Sequence, residues 1–172
     1  MLAIGGRIPT DLQLEPGRAL AFLGDGGWGG MVRDQRADGS YSDELVDALV
    51  RLVRGWDPAP RPKWVTAVPS RRAPSLVPSL AERVAAGLGL PYRAALELVH
   101  DTAPQARMEN SAQQHANVAG AFAAIDPVPS GPVLLVDDVV DSRWTLTEAG
   151  AMLRAAGTET VLPLALAQGA GD

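Results

Sequence analysis

The stretch that decides the fold reads PVLLVDDVVDSRWTLTEAG, from Pro132 to Gly150. Four consecutive apolar residues, VLLV, run straight into two adjacent carboxylates, Asp137 and Asp138, then into a short polar loop and a helical pattern. A run that is apolar at every position predicts a central strand of a parallel sheet, buried on both faces. The acids then fall at its carboxyl end, the edge of open α/β sheets where ligands bind. Downstream, TLTE predicts a capping box, Thr145 with Glu148 three residues on. Leu146, Ala149, Leu153 and Ala156 then share one helical face, and Gly157 stops the helix.

That arrangement has chemical content. Adjacent carboxylates repel, so hydroxyls, a cation or water must satisfy them, and vicinal sugar hydroxyls each supply a donor. The amino end of the next helix offers free N–H groups and partial positive charge, a natural anion site. Ser142 and Thr145 add hydroxyl donors, and Arg143 adds a guanidinium able to make a charge-assisted pair. Carboxylates for hydroxyls beside donors for a phosphate describe a sugar phosphate.

Outward from this stretch, strands and helices alternate. KWVTAVP gives a strand near Trp64 to Val68, followed by the polar turn SRRAPS and a helix near Leu76 to Leu88. ALELV, from Ala95 to Val99, is a further strand, and a polar segment from His100 to about Asn117 precedes AGAFAAI. TVLPLALA closes the domain as a strand, placed towards an edge because Pro163 cannot donate to a ladder. Upstream, SDELVDALVRLVRGW is an amphipathic helix with Ser42 as its cap and Leu45, Leu49, Leu52, Val53 and Trp56 on one face. ALAFL and GMVRDQ, from Gly30 to Gln35, are short strand candidates joined by GDGGWGG. Glycines 24, 26 and 29 match a dinucleotide fingerprint, but that motif needs a helix directly afterwards, and a hairpin turn is the better reading. The pattern as a whole predicts an α/β domain with a mostly parallel central sheet flanked by helices. A small hood is expected from the first 40 or so residues. Residues 1–17 read as a linker or leader and 18–170 as the domain, and the Gly- and Pro-rich start suggests excision from a longer polypeptide.

Composition sets the outer bounds. The chain has 172 residues, enough for one domain with a real core, and its 47% hydrophobic and 20% charged content is that of an ordinary soluble protein. No apolar run approaches a membrane span. The absence of cysteine excludes disulfides and thiolate metal sites and makes a cytoplasmic location the default. A net charge of -5 gives no global attraction for nucleic acid or anionic membranes, although local arginines could contact phosphates. His100 and His115 lie apart from any ligand cluster and read as loop or surface residues, so no direct metal site is expected. A response-regulator receiver also ends a strand on paired acids, but it needs a lysine further along and none follows Asp138.

VLLVDDVVDSRWT resembles the phosphoribosyl-pyrophosphate signature of type I phosphoribosyltransferases: an apolar strand, two acids, two apolar residues and a small loop ending in threonine. The resemblance implies that Asp137 and Asp138 hold the ribose hydroxyls and that Ser142, Arg143, Trp144 and Thr145 wrap the 5-phosphate. It implies Asp141 as the general base beside the acceptor, and Ser70, Arg71 and Arg72 of VPSRRAPSL as the pyrophosphate loop. Magnesium would enter with phosphoribosyl pyrophosphate. DTAPQARMENSAQQHANVAGAF is similar to the flexible loop of ComF-like members, with Gln105, Asn117 and Phe122 in familiar positions; Gln113 and Gln114 read as a polar face. VPSR, NSAQQ, VDDVVDSRWTLT and VLPLALA together resemble the phosphoribosyltransferase-like domain ending some actinobacterial RecQ-type DNA helicases, which implies helicase domains in the same polypeptide. The expected function is binding of phosphoribosyl pyrophosphate or a ribose 5-phosphate nucleotide, with or without turnover as a phosphoribosyltransferase. The alternative is a non-catalytic docking or nucleic-acid-interaction module of that helicase. One departure stands out: the family usually has glycine at the position of Arg143, and a positive φ there would strain an arginine.

Overall fold

In the computed structural model, residues 10–99, 120–141 and 143–169 are described. The described chain is mixed α/β, with a parallel four-stranded sheet at its centre. The strands are β1 (Arg18–Phe22), β2 (Trp64–Ala67), β5 (Val133–Val140) and β6 (Val161–Gln168), in the order β1-β6-β5-β2. A separate antiparallel pair joins β3 (Leu96–Leu98) to β4 (Phe122–Ala124). The helices are α1 (Trp28–Asp38), α2 (Asp43–Trp56), α3 (Leu76–Leu88) and α4 (Trp144–Ala155). None of these is long and apolar enough to cross a membrane.

The sheet divides two hydrophobic layers. Leu134, Val136, Leu162 and Leu164 point to one side and meet Val32 of α1, Leu45 and Leu49 of α2, and Leu80 and Val84 of α3. Val133, Leu135 and Val161 point to the other and meet Leu146, Ala149 and Leu153 of α4, together with Leu96 and Phe122 of the small sheet. This alternation along β5 is the two-residue period of a strand read against two different neighbours. It explains why VLLV is apolar throughout.

Several boundaries differ from the sequence reading, each for a local reason. GMVRDQ is not a strand; it lies inside α1. Trp28, Met31 and Val32 recur at i, i+3 and i+4 and turn one face to the core, a helical period that the glycine pair disguises. Gly29 is required there, because a Cβ would overlap the Phe22 carbonyl oxygen where α1 crosses β1. The GDGGWGG loop is therefore a strand-to-helix turn and not a hairpin. It sits on the edge strand, away from any reversal of strand order, and so does not revive the dinucleotide reading.

β6 is an inner strand, not an edge. Pro163 is tolerated because β1 joins the ladder only from Arg18 opposite Leu164, leaving the proline just outside the paired stretch on that side. Gly17 closes over it, and a Cβ there would lie 2.9 Å from the proline's own Cβ and carbonyl oxygen. The first 40 residues supply β1 and α1 to the main body instead of a separate hood. Residues 10–17 lie along α4: Leu14 packs on Gly150, Arg154 donates twice to the Asp11 carbonyl, and the Glu15 N–H donates to Val161 O at 3.0 Å.

Strand order positions the site. From β2 the chain passes through α3 and returns at Tyr92, which makes a single parallel bridge to Val65 on the outer edge of β2. From β5 it passes through α4 on the other face and moves inward to β6. The winding therefore reverses between β2 and β5, and the carboxyl ends of those strands form the crevice where open α/β sheets place ligands.

Candidate functional site at the β2–β5 crevice

β5 does not stop at the acids. It pairs with β6 as far as Val140 opposite Gln168, so Asp137 and Asp138 are strand residues. On the β2 side the ladder ends at Ala67 opposite Val136, with a last bond from the Val68 N–H to Val136 O at 2.9 Å. The acids begin where β2 and β5 part.

The two carboxyls are close enough to act on each other, and Asp137 stands opposite Ala165 in the ladder. Its Oδ1 accepts the Asp138 N–H at 2.8 Å. Asp138 turns to the α1 side. Its Oδ1 accepts the Val139 N–H at 2.7 Å, and its Oδ2 accepts both Arg36 Nε and the Tyr41 hydroxyl at 2.9 Å. Both acids are buried, Asp137 to 8% exposure and Asp138 to 4%. Burial, and after it the Asp138 charge, push the Asp137 carboxyl well above the usual aspartate range. Burial and the same charge raise the Tyr41 phenol, which keeps it a donor. For Arg36 partial burial works downward, but the charges of Asp138, Tyr41 and Asp137 and the hydrogen bond to Asp138 together outweigh it and raise the guanidinium's pKa.

Arg36 and Tyr41 escaped the sequence reading. Arg36 directly follows the segment read as a strand, and Tyr41 directly precedes the helix capped by Ser42. The available signal was the acid pair itself, since a buried carboxylate requires a countercharge. The turn carrying these two residues is braced from three directions. Gln35 and Ser42 bond reciprocally, with Gln35 Nε2 donating to Ser42 Oγ and the Ser42 N–H to Gln35 Oε1. Arg83 of α3 donates to the Tyr41 carbonyl at 2.6 Å and pairs with Asp43. Ser42 is the N-cap residue of α2, but its hydroxyl serves Gln35 and makes no cap bond.

Beyond β5, Asp141 is exposed and its carboxylate lies over Gly169, which donates its N–H to Val140 O at 2.8 Å. Ser142 lies outside the described residues, as do Gln105, Gln113, Gln114, Asn117 and both histidines. Arg143 is the N-cap residue of α4 with φ -71 and ψ -11, ordinary right-handed backbone. The strain considered for an arginine at a glycine position does not arise. Trp144 and Thr145 are the first two residues of α4, so Thr145 sits inside the first turn and not at the cap of a capping box. Ser70, half-buried, and Arg71 and Arg72, both exposed, follow β2 on the crevice side. Arg71 donates to the Leu98 carbonyl at 3.3 Å, tying this loop to β3. Phe122 is a core residue of β4. A cavity of about 520 Å³ opens on the α4 face between residues 13–19 and the first turns of α4, with Arg18, Arg143, Thr147 and Gln168 among its lining. Of the candidate site residues read from the sequence, Arg143 lines it.

Among the described residues no three His, Asp or Glu side chains gather as a metal site. Asp138 has its lone pairs largely filled by three donors, which leaves no carboxylate cage for a divalent ion. Magnesium commonly reaches such sites on substrate phosphates with water in its other positions, an arrangement that makes no demand on a cage.

No family model matches the chain, and no curated protein matches it. Solved structures do. Glutamine phosphoribosylpyrophosphate amidotransferase from B. subtilis, complexed with ADP and GMP, aligns with a TM-score of 0.48 and 24% identity over 70% of this chain and 25% of its own. A structure described as the allosteric regulatory enzyme of purine biosynthesis aligns with a TM-score of 0.44 and 25% identity over 70% and 25%. Adenine phosphoribosyltransferase from Leishmania tarentolae aligns at 0.45 and 16% identity over 73% and 69%. The chain spans about a quarter of the length of the first two.

Proposed function

We propose that this chain is a phosphoribosyltransferase-like domain that binds phosphoribosyl pyrophosphate or a ribose 5-phosphate nucleotide at the β2–β5 crevice. The observation that carries the reading is the convergence, at the reversal of strand order, of the acid pair, the loop after β5 and the first turn of α4. In this reading Asp137 and Asp138 meet the ribose hydroxyls, while Ser142, Arg143, Trp144 and Thr145 cradle the 5-phosphate with main-chain donors and the guanidinium. Ser70, Arg71 and Arg72 steady a pyrophosphate leaving group from the β2 side. Asp141, exposed at the mouth, accepts a proton from an attacking nitrogen. Magnesium, carried on the pyrophosphate, supplies charge neutralisation when bound. The chain's own contribution is positioning and a fixed electrostatic surround for developing charge on the ribose.

The internal engagement of Asp138 by Arg36 and Tyr41 favours a second reading, ligand binding without turnover. In its finer form the domain is ComF-like and cytoplasmic, and works beside a RecQ-type helicase motor in DNA repair, supported by VPSR, NSAQQ, VDDVVDSRWTLT and VLPLALA. As a docking module there, it would meet protein or nucleic acid through exposed arginines.

Calorimetric titration with magnesium phosphoribosyl pyrophosphate, ribose 5-phosphate and AMP, followed by a pyrophosphate-release assay over a panel of nucleobases, tests both readings. Turnover establishes the enzyme, and binding alone establishes the sensor. No binding of any of the three ligands removes the site.

A further inference from the structure

Asp138 is held by an arginine that stands between it and solvent. Its side chain is 6% exposed, that of Arg36 47%. Among the described residues Arg36 has no other side-chain partner, so the guanidinium is fixed at one end by Asp138 and hydrated at the other. A carboxylate offers about four lone-pair directions. Here Val139 N–H, Arg36 and Tyr41 fill three of them. A sugar hydroxyl reaching Asp138 on its solvent side meets the guanidinium first.

We infer that Arg36 and Tyr41 form an internal latch on Asp138, which a vicinal diol displaces on binding, coupling occupancy of the ribose site to the seating of α1. The inference rests on the proposed ribose reading. Its chemistry is an exchange of donors: the hydroxyl replaces Arg36 Nε on Asp138 Oδ2, and the guanidinium moves into water that already reaches half of it. The turn that carries Tyr41 stays in place, because the Arg83 brace on its carbonyl and the Gln35–Ser42 pair hold it independently of Arg36. α1 is the element released. It is attached to β1 through the Gly29 approach, to Asp138 through Arg36 and to the start of α2 through the Gln35–Ser42 pair, and loss of the Arg36 attachment leaves Gln35–Ser42 as the polar tie of its carboxyl-terminal turn.

The test compares wild type, Arg36→Met and Tyr41→Phe, titrated with ribose 5-phosphate and with inorganic phosphate. Removing a competitor tightens the ligand that competes: ribose 5-phosphate affinity rises about tenfold in Arg36→Met, the worth of one charge-assisted hydrogen bond, and by a smaller factor in Tyr41→Phe. Inorganic phosphate affinity stays unchanged in both. Tyr41→Phe retains the ion pair and keeps the test valid should Arg36→Met fail to fold. In wild type, saturating ribose 5-phosphate speeds hydrogen exchange across Trp28–Asp38, and phosphate does not. Unchanged or weaker ribose 5-phosphate binding in the variants, with wild type still binding, overturns the latch and leaves the site standing. Absence of ribose 5-phosphate binding in every form, wild type included, overturns the site and the latch with it.

Discussion

Asp138 and Asp137 are adjacent on β5 and both buried, but Asp138 takes a guanidinium and a phenol as donors, whereas burial and the Asp138 charge lift the pKa of Asp137. The same residue type is thus compensated by a cation at one position and driven towards its neutral form at the next. β5 runs on to Val140 between two packed layers, and the side-chain donors to Asp138 come from the α1 face. What the faces have in common is a real core on each side, and what separates them is polar wiring.

The claim of a real core on each side is the easiest to break. Leu134 and Leu135 are adjacent and fully buried, one in each layer. Each Leu→Ala change should cost about 3 kcal/mol, the usual range for a buried leucine that leaves a cavity. Chemical denaturation of the two variants measures this. A loss under about 1 kcal/mol on either side would mean that layer repacks freely and that the comparison of faces is lopsided.

Next in size is Gly29→Ala. The added methyl meets a backbone carbonyl, which cannot swing aside as a side chain can. About 2 kcal/mol is expected, as for overpacking elsewhere, and the damage should concentrate on α1. Amide exchange would show α1 opening while α4 keeps its protection. Uniform loss across both helices would sink the idea that the faces can be loosened separately.

The acids themselves separate by pH. Asp138→Asn leaves Arg36 facing a neutral amide, and because that guanidinium is half in water the cost is about 1–2 kcal/mol, below the value for a fully buried pair. Asp137→Asn goes the other way. The folded pKa of Asp137 lies above its unfolded value, so the wild type holds this group's full contribution below about pH 3.8 and loses it as pH rises through the folded value. The asparagine variant has no such loss. Its melting temperature relative to wild type should therefore climb from pH 4 towards pH 8. A gap independent of pH would mean that Asp137 is not the strained carboxyl.

How far the sequence disclosed this architecture depends on which force shaped each part. The β5 stretch was legible because burial on both faces leaves no polar position, and α2 and α3 because their apolar faces repeat cleanly. α1 was not, since Gly29 answers to a crossing with β1 that only the tertiary structure contains. Pro163 misled for a similar reason: its missing N–H excludes a laddered position, yet β1 begins one residue later and makes an inner strand tolerable. At the site, the acids, the loop and the helix start could be read from residue types and spacing. Their partners could not, because Arg36 and Tyr41 lie about a hundred residues away in the chain and carry no local mark of their role.

The smallest expected effect concerns Arg143, which sits at the start of the α4 face as Arg36 sits on the α1 face. Arg36 is paired with a buried carboxylate; Arg143 is exposed, caps α4 in right-handed backbone and makes no side-chain cap bond. Arg143→Gly should therefore change stability by only a few tenths of a kcal/mol, as glycine at an N-cap generally does. Its effect on ligands decides what the residue is for. If the guanidinium grips the phosphate, inorganic phosphate and ribose 5-phosphate weaken by the same factor, about tenfold for one charge-assisted bond. If the main-chain N–H groups of α4 suffice, neither affinity falls, and the glycine form behaves as the arginine form does. A loss confined to ribose 5-phosphate would fit neither case and would move the sugar, not the phosphate, to this end of the helix.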